Sequence, residues 1–370
     1  MRRTWVAAAL AGLLFAACAG TKSATEQSAP PVTDAATTTS GAQAATTSST
    51  AVPIATTTPA TTTIPATTTT VTPAAPPEPL TVQQLLDLGR PIVLAHAAGE
   101  DQFPHSSPYG FAASAAAGVD MLDFDVMLTA DDVLVVQHDE STGRTANEDL
   151  VVAETTYEQL HALDNAYWFS AEGTKTGEPD SAYIYRGIRT QDKAPPAGAS
   201  PDDFAIARFG DLLDRFPSFP VNIEIKGEGE QGAKIAAALA EVLTDHDLLD
   251  NAVVAAFDDT VVSAFQAIAP SVEVTPGLGA ASAFILGDTP LPDGMRILQV
   301  PVMFQDIVVL SPENIAKSHA AGYVIWVWPN DRAWENPKGY RDLLELGLDG
   351  LNINYPADGV AAVRALSTTG

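Results

Sequence analysis

The stretch MLDFDV at residues 121–126 decides the fold, because it places two acidic side chains within a strongly apolar run. Alternate side chains of a β-strand point to opposite faces, so Asp123 and Asp125 share one face while Leu122 and Phe124 occupy the other. A strand inside a parallel sheet is usually covered on both faces. Because buried carboxylates need donors or a cation, the stretch predicts a polar site on an interior strand.

Apolar runs of the same kind recur along the chain, and helical patterns separate several of them. The predicted strands are 92–96, 121–126, 133–138, 221–226, 253–257, 272–275, 297–300, 323–328 and 350–354. The predicted helices are 111–117, 231–244, 261–268, 312–321 and 340–346. This alternation predicts an α/β fold, a (β/α)8 TIM barrel. An open doubly wound sheet is the alternative, but no glycine-rich phosphate fingerprint follows any strand.

Two connections depart from the regular alternation. The link 127–132 is too short to contain a crossover helix, and residues 140–211 are too long for an ordinary loop. We interpret 140–211 as an insertion after the third strand that lies over one mouth of the barrel.

Polar side chains gather at the predicted strand ends. In a parallel barrel the carboxyl ends of all strands open on one face, where we expect these residues to converge: His96, Asp123, Asp125, His138, Glu224 and Lys226. Carboxylate oxygens favour Ca²⁺ or Mg²⁺ over a softer metal. A histidine at a strand end is commonly a core residue, and paired carboxylates are commonly solvated. The coincidence of all six favours a site.

The first 80 residues differ from the rest in composition. Residues 1–20 read MRRTWVAAALAGLLFAACAG, a basic start followed by an apolar stretch, which predicts a secretory signal peptide. Cys18 lies where cleavage would occur, as in a bacterial lipobox, so we predict a signal at 1–17 and lipid attachment at this cysteine. The Thr-, Ala- and Pro-rich stretch 18–80 predicts a disordered linker. The expected folded domain, 81–370, would then be anchored through lipid at the bacterial cell surface.

The charge of the chain excludes some classes of partner. Its 370 residues include 19 Lys and Arg against 46 Asp and Glu, giving a formal net charge of −27. This charge argues against nucleic acid and against an anionic lipid face as binding surfaces. Because Cys18 is the only cysteine, an intrachain disulfide and a zinc–thiolate site are also excluded. Small molecules and divalent cations remain as ligands.

Five segments of the folded part carry a further signal: HAAG at 96–99, MLDFDVMLTADDVLVVQHDESTGRT at 121–145, VNIEIK at 221–226, YVIWVWPND at 323–331 and LGLDGLNINYPAD at 346–358. Together and in this order, they resemble the glycerophosphodiester phosphodiesterase family. The resemblance implies a TIM barrel that hydrolyses glycerophosphodiesters or related phospholipid-derived diesters. The implied products are an alcohol and a phosphomonoester, glycerol phosphate.

The resemblance also implies roles for individual residues. His96 and His138 match the histidines that exchange protons during the reaction. The implied metal ligands, for Ca²⁺ or Mg²⁺, are Asp123, Asp125 and Glu224, with Asp123 in place of the usual Glu. The implied substrate-binding residues are Lys226, which faces the phosphate, and Trp326 or Trp328, which lines the site.

The chain departs from the family pattern at two places. Ala97 replaces the arginine that follows the first histidine, and Pro104-His105-Ser106-Ser107 replaces Pro-Glu-Asn-Thr. A bidentate phosphate clamp is thereby lost, and lysine does not reproduce its geometry. The residues considered as compensation are Glu100, His105, Arg186 and Arg189.

Two other functions stay open at this point. The loss of the arginine is compatible with a catalytically impaired barrel that binds an envelope ligand. A phospholipase-D-like enzyme acting on intact lipid would present an apolar insertion to the membrane, for which the insertion offers Tyr167, Trp168, Phe169, Tyr183 and Tyr185. A sugar hydrolase is disfavoured, because acids two residues apart on one strand lie too close to flank a glycosidic bond.

Overall fold

The computed structural model of the chain describes residues 79–366. The predicted signal peptide, Cys18 and the linker up to residue 78 lie outside the described residues, so the lipid anchor and the surface location stay predictions. Between residues 79 and 366 there is no helix with the length and apolar character that a membrane crossing requires.

Eight parallel strands form a nearly closed barrel. The strands of the described part are β1 (Ile92–Ala95), β2 (Met121–Leu128), β3 (Leu134–Val136), β4 (Phe169–Ser170), β5 (Gly173–Thr174), β6 (Val221–Ile225), β7 (Ala252–Ala255), β8 (Glu273–Val274), β9 (Ile297–Val300), β10 (Met303–Phe304), β11 (Ile307–Val308), β12 (Val324–Val327) and β13 (Gly350–Ile353). The barrel order is β8-β7-β6-β2-β1-β13-β12-β9, and every neighbouring pair is parallel. The predicted parallel barrel is confirmed.

Ten α-helices of the described part accompany the barrel strands. They are α1 (Val82–Leu86), α2 (Pro108–Ala117), α3 (Tyr157–His161), α4 (Phe209–Leu213), α5 (Gly229–Asp245), α6 (Asp259–Ile268), α7 (Leu278–Gly287), α8 (Pro312–Ala320), α9 (Pro337–Glu345) and α10 (Pro356–Leu366). The start of α8 follows from local chemistry, since Ser311 accepts a bond from the Asn314 amide and Pro312 occupies the first turn.

The third strand corrects the sequence prediction, which took it as a parallel barrel strand. β3 pairs antiparallel with β2, with Val126 opposite Val136 and Leu128 opposite Leu134. The tight turn between the two strands explains why no crossover helix fits there. His138 therefore reaches the mouth because the chain turns back along β2, and not because a parallel strand ends there.

Two layers of side chains fill the barrel interior. The lower, apolar layer contains Ile92, Leu94, Met121, Val253, Ile297 and Trp326, and it packs against Val82 and Leu85 of α1. The next layer towards the carboxyl ends is polar and contains Asp123, Asn222, Gln299 and Asn352, joined by hydrogen bonds. We call the lower layer the apolar floor, because the polar site rests on it.

A close contact in the apolar floor predicts a stability effect. A Cβ atom on Gly350 would lie 2.5 Å from Trp326 Cδ1, a distance that forces the buried indole to move. We expect Gly350→Ala to lower the free energy of unfolding by about 1–3 kcal/mol, as overpacking usually does. The control Gly287→Ala meets no atom closer than 3.9 Å and should not lower the free energy of unfolding, since alanine in a helix stabilises by up to about 1 kcal/mol relative to glycine. Urea denaturation checks both, and equal midpoints would contradict this packing.

Candidate active site

The carboxyl ends of the barrel strands bring predicted site residues together. His96 follows β1 directly, and its ring centroid lies 5.6 Å from that of His138, with the two rings nearly perpendicular. Asp125 on β2 lies beside Glu224 on β6. Lys226 follows β6, and its ammonium lies 3.2 Å from Asp125 Oδ1. These five side chains form one cluster at the mouth of the barrel.

Asn354 fixes the orientation of His96. The Asn354 amide nitrogen donates to Glu100 Oε1 at 3.1 Å and to Asp101 Oδ2 at 2.9 Å. Its oxygen must therefore face His96 Nδ1, 2.9 Å away. Because that oxygen only accepts, Nδ1 carries the proton and Nε2 is the nitrogen left for chemistry.

The carboxylates around His96 favour its charged form. Burial works against an imidazolium, but the negative charges of Glu100, Asp123 and Asp125 outweigh it and raise the pKa of His96. His96 is thus inclined to hold a proton that it can give away.

Asp139 and Arg144 fix the orientation of His138. The His138 Nδ1 group donates to Asp139 Oδ1 at 2.7 Å. Arg144 donates to the same carboxylate through Nε at 2.6 Å and through Nη2 at 3.1 Å. Burial alone would raise the pKa of Asp139, but the bonds from His138 and Arg144 hold it well below its usual range. Asp139 is therefore ionised, and His138 presents Nε2 to the mouth.

Arg144 also joins two of the residues considered as compensation, Glu100 and His105. Its Nη1 donates to Glu100 Oε2 at 2.8 Å, and its Nη2 lies 2.8 Å from His105 Nε2. Burial and the adjacent guanidinium lower the pKa of His105 to about 3, so this imidazole is neutral. The His105 ring packs edge-on against His138, with centroids 5.7 Å apart. A guanidinium is therefore present beside the histidines although Ala97 replaces the usual arginine.

The other two residues considered as compensation lie away from this cluster. The Arg186 guanidinium is enclosed by the rings of Tyr167, Trp168 and Tyr183, at 3.8–4.7 Å from their centroids. Arg189 donates to the backbone oxygen of His161. Tyr167, Trp168 and Tyr183 also pack on one another, so these three rings surround Arg186 within the insertion.

The predicted metal ligands do not assemble as one three-carboxylate group. Asp123 is buried, and its two oxygens accept bonds from the amides of Asn222 and Asn352. Burial and the neighbouring Asp125 raise the pKa of Asp123. Glu224 Oε1 lies 2.8 Å from the Lys226 ammonium. Within residues 79–366, no set of three or more His, Cys, Asp or Glu side chains is arranged to hold a metal ion.

The carboxylates of Asp125 and Glu224 nevertheless suit a hard cation. Asp125 Oδ2 is buried and has no hydrogen-bond partner among the described residues. Burial opposes ionisation of Asp125, but the Lys226 ammonium outweighs it and lowers the pKa of this carboxyl. An ionised oxygen without a partner, next to Glu224, is the kind of ligand that Ca²⁺ or Mg²⁺ takes.

The structure distinguishes the two tryptophans. Trp326 is only 1% exposed and lies in the apolar floor, so it does not line the mouth. Trp328, two residues on and on the same face of the chain, reaches the rim, where its ring meets Phe257 edge-on at 6.1 Å. Phe257 is 37% exposed and was not predicted, although it ends a predicted strand.

An outer layer of polar residues supports Asn354 and was missed by sequence reasoning. Asp101 Oδ2 accepts from Arg332 Nη1 at 2.5 Å as well as from Asn354. Glu335 Oε2 accepts from the Tyr340 hydroxyl at 2.5 Å and from the Asn354 backbone amide at 3.0 Å. Burial raises the pKa of Glu335 to about 7. No spacing in the sequence signals the contacts of Asn354 with Asp101 and Glu335, because these residues come from separate segments of the chain.

One protein family, curated relatives and solved structures are similar to this chain. Residues 96–358 match the glycerophosphoryl diester phosphodiesterase family. The chain is 22% identical over 268 residues to a glycerophosphodiester phosphodiesterase of Bacillus altitudinis, and this alignment covers 71% of the chain and 94% of the relative.

Solved structures show the same fold. A phosphodiesterase of Oleispira antarctica, solved with the product sn-glycerol-3-phosphate, superposes with a TM-score of 0.56 at 18% identity and covers 75% of this chain and 99% of its own. A glycerophosphodiester phosphodiesterase of Agrobacterium tumefaciens gives 0.52 at 20% identity, with 73% and 99% covered.

Proposed function

Because the chain belongs to the glycerophosphoryl diester phosphodiesterase family, we propose that it hydrolyses glycerophosphodiesters to an alcohol and glycerol phosphate. The observation that carries the proposal is the histidine pair. The rings of His96 and His138 lie 5.6 Å apart, and a hydrogen bond at each Nδ1 leaves both Nε2 atoms for the substrate. Two such imidazoles suit a reaction that takes one proton and gives another.

The two histidines take opposite roles in the proposed reaction. His138, supported by ionised Asp139, accepts the proton of the attacking hydroxyl. Attack by water gives glycerol phosphate directly, whereas attack by the substrate's neighbouring hydroxyl gives a cyclic phosphate, which a water molecule must then open to glycerol phosphate. As the new P–O bond forms and the old one breaks, His96 gives its proton to the departing alcohol oxygen. The raised pKa of His96 suits it to this second role.

Positive charge completes the proposed mechanism. Lys226 lies at the mouth beside Asp125 and Glu224 and is positioned to steady a non-bridging phosphate oxygen. The same two carboxylates would hold Ca²⁺ or Mg²⁺, which supplies further charge against the phosphodiester. We also propose, from the sequence alone, that lipid on Cys18 anchors the enzyme at the bacterial cell surface.

The pH dependence follows from the carboxylates near His96. Raising the pKa of His96 keeps its acid form to higher pH, so the alkaline limb of kcat/KM should lie above the usual histidine range. Glu100→Gln removes one of the charges that raise this pKa and should move the alkaline limb to lower pH. Glu230→Gln, an exposed change on α5, should leave it in place. An unmoved limb in Glu100→Gln would contradict the assignment of His96 as the acid.

A lipid substrate is a second candidate, and exposed apolar side chains at the rim favour it. Phe257 and Trp328 pair there, and the β10–β11 hairpin beyond β9 exposes Met303 (40%) and Val308 (53%). Such a rim offers contact area to an acyl chain.

A substrate panel separates the candidates. Glycerophosphocholine, a lysophospholipid and a diacyl phospholipid would be compared, with products identified by ³¹P NMR. We expect turnover of glycerophosphocholine to glycerol phosphate. Activity on the two lipids alone would instead favour a phospholipase-D-like enzyme, and activity on none would favour an impaired barrel.

A further inference from the structure

The ammonium of Lys226 occupies the space between the two carboxylates at the mouth. Its Nζ lies 2.8 Å from Glu224 Oε1 and 3.2 Å from Asp125 Oδ1. The Lys226 and Asp125 side chains are only 13% and 2% exposed, and that of Glu224 is 23% exposed. The ammonium therefore already offsets one of the two negative charges that a cation approaching this pair would meet.

Asp123 lies below this carboxylate pair, and amide groups contact it instead of the lysine. Its oxygens accept from Asn222 and Asn352, and Asn222 in turn accepts from Gln299 Nε2 at 2.6 Å. The aspartate side chain is one methylene shorter than the glutamate usual here, so its carboxylate stays in the polar layer above the apolar floor. Its contacts orient neighbouring amides.

We infer that a divalent cation binds by displacing Lys226 from Asp125 and Glu224, and that Asp123 is not one of its ligands. The inference rests on the proposed function, because it concerns the same site. Asp125 Oδ2, which is buried without a partner among the described residues, offers the cation a ligand that Lys226 does not use. A divalent cation and the Lys226 ammonium on one carboxylate pair repel each other, and the doubly charged ion is attracted to the carboxylates more strongly, which favours departure of the ammonium.

The displacement has a consequence for the substrate. Lysine is a compact charge on a flexible four-carbon stem, so an ammonium released from Asp125 and Glu224 can turn towards the phosphate that the cation attracts. Cation binding therefore also moves Lys226 to where it can contact the substrate.

Calorimetric titration of the full chain with Ca²⁺, without substrate, tests the displacement. Lys226→Met removes the competing ammonium and should bind Ca²⁺ at least 10-fold more tightly than the wild type. Lys234→Met is the matched control, since that lysine is exposed on α5 and pairs with Glu230 at 3.7 Å. It should change the affinity less than 2-fold. Equal affinities of wild type and Lys226→Met, or no Ca²⁺ binding by either, would overturn the inference.

The role of Asp123 is tested separately. Asp125→Asn and Glu224→Gln should weaken Ca²⁺ binding at least 30-fold, whereas Asp123→Asn should stay within 3-fold of the wild type. A loss in Asp123→Asn as large as that in Asp125→Asn would overturn the inference. Because Asp123→Asn disturbs a buried cluster, a crystal structure of the wild type with Ca²⁺ serves as the second measurement. Asp123 oxygens still bonded to both asparagines support the inference, and an Asp123–Ca²⁺ bond overturns it.

These measurements do not depend on catalysis. A chain that binds Ca²⁺ as described but hydrolyses no phosphodiester would refute the proposed function and leave the inference intact.

Discussion

His138→Ala is expected to lower kcat for a glycerophosphodiester by about 1,000-fold or more, since positioned acid–base groups contribute roughly 10² to 10⁴. The substitution removes the imidazole that Asp139 orients, and neutral His105 behind it bonds to Arg144 instead. His96→Ala should have an effect of the same size, because it removes the proton donor. Initial rates over a range of substrate concentrations measure both losses.

The control for this prediction is a histidine outside the site. His319 lies on α8 and pairs with Asp349 at 2.9 Å, so His319→Ala should keep nearly full activity. All three variants should retain the circular dichroism of the wild type, since each removes a side chain at the mouth or the surface. Wild-type kcat in a folded His138→Ala or His96→Ala would refute the roles given to these residues.

Asp139→Asn is expected to lower kcat by about 100- to 1,000-fold, because replacing the aspartate that orients a catalytic histidine favours the wrong tautomer. An amide nitrogen facing His138 Nδ1 would donate a bond instead of accepting one, and Nε2 would then carry the proton. The substitution would also remove the carboxylate that accepts two hydrogen bonds from Arg144. Because Asp139 has no direct place at the phosphate, we expect KM to change little.

A matched acid-to-amide change completes this test. Asp342 on α9 pairs with Lys338 at the surface, so Asp342→Asn should leave both kcat and KM unaltered. NMR of the imidazole nitrogens would report the tautomer directly, with the proton moving from Nδ1 to Nε2 of His138 in Asp139→Asn. Retained activity together with an unchanged tautomer would refute the positioning role of Asp139.

The barrel could be predicted because strands that are buried on both faces have a recognisable amino-acid composition. Parallel strands covered on both faces appear as continuous apolar runs, which located β1, β2, β6 and β9. The acids of β2 were conspicuous because they interrupt such a run. α7 was missed for the opposite reason: LGAASAFILG at 278–287 is apolar or small on every side and shows no helical period.

The direction of a strand and the depth of a side chain in the barrel could not be predicted in the same way. The run before His138 is equally apolar whether β3 is parallel or antiparallel, and only the short turn hints at the pairing observed. Trp326 and Trp328 share a face, so the period of two cannot tell floor from rim. Arg144 and Asn354 were missed because their contacts join loops that are distant in sequence.

The most direct test is the release of glycerol phosphate from glycerophosphocholine by the full chain and by its His96→Ala/His138→Ala double variant, each with Ca²⁺ or Mg²⁺ present. The account predicts one glycerol phosphate for each choline released by the wild type and none above background from the double variant. A folded wild type that releases no glycerol phosphate with either cation, or a double variant as active as the wild type, would contradict it.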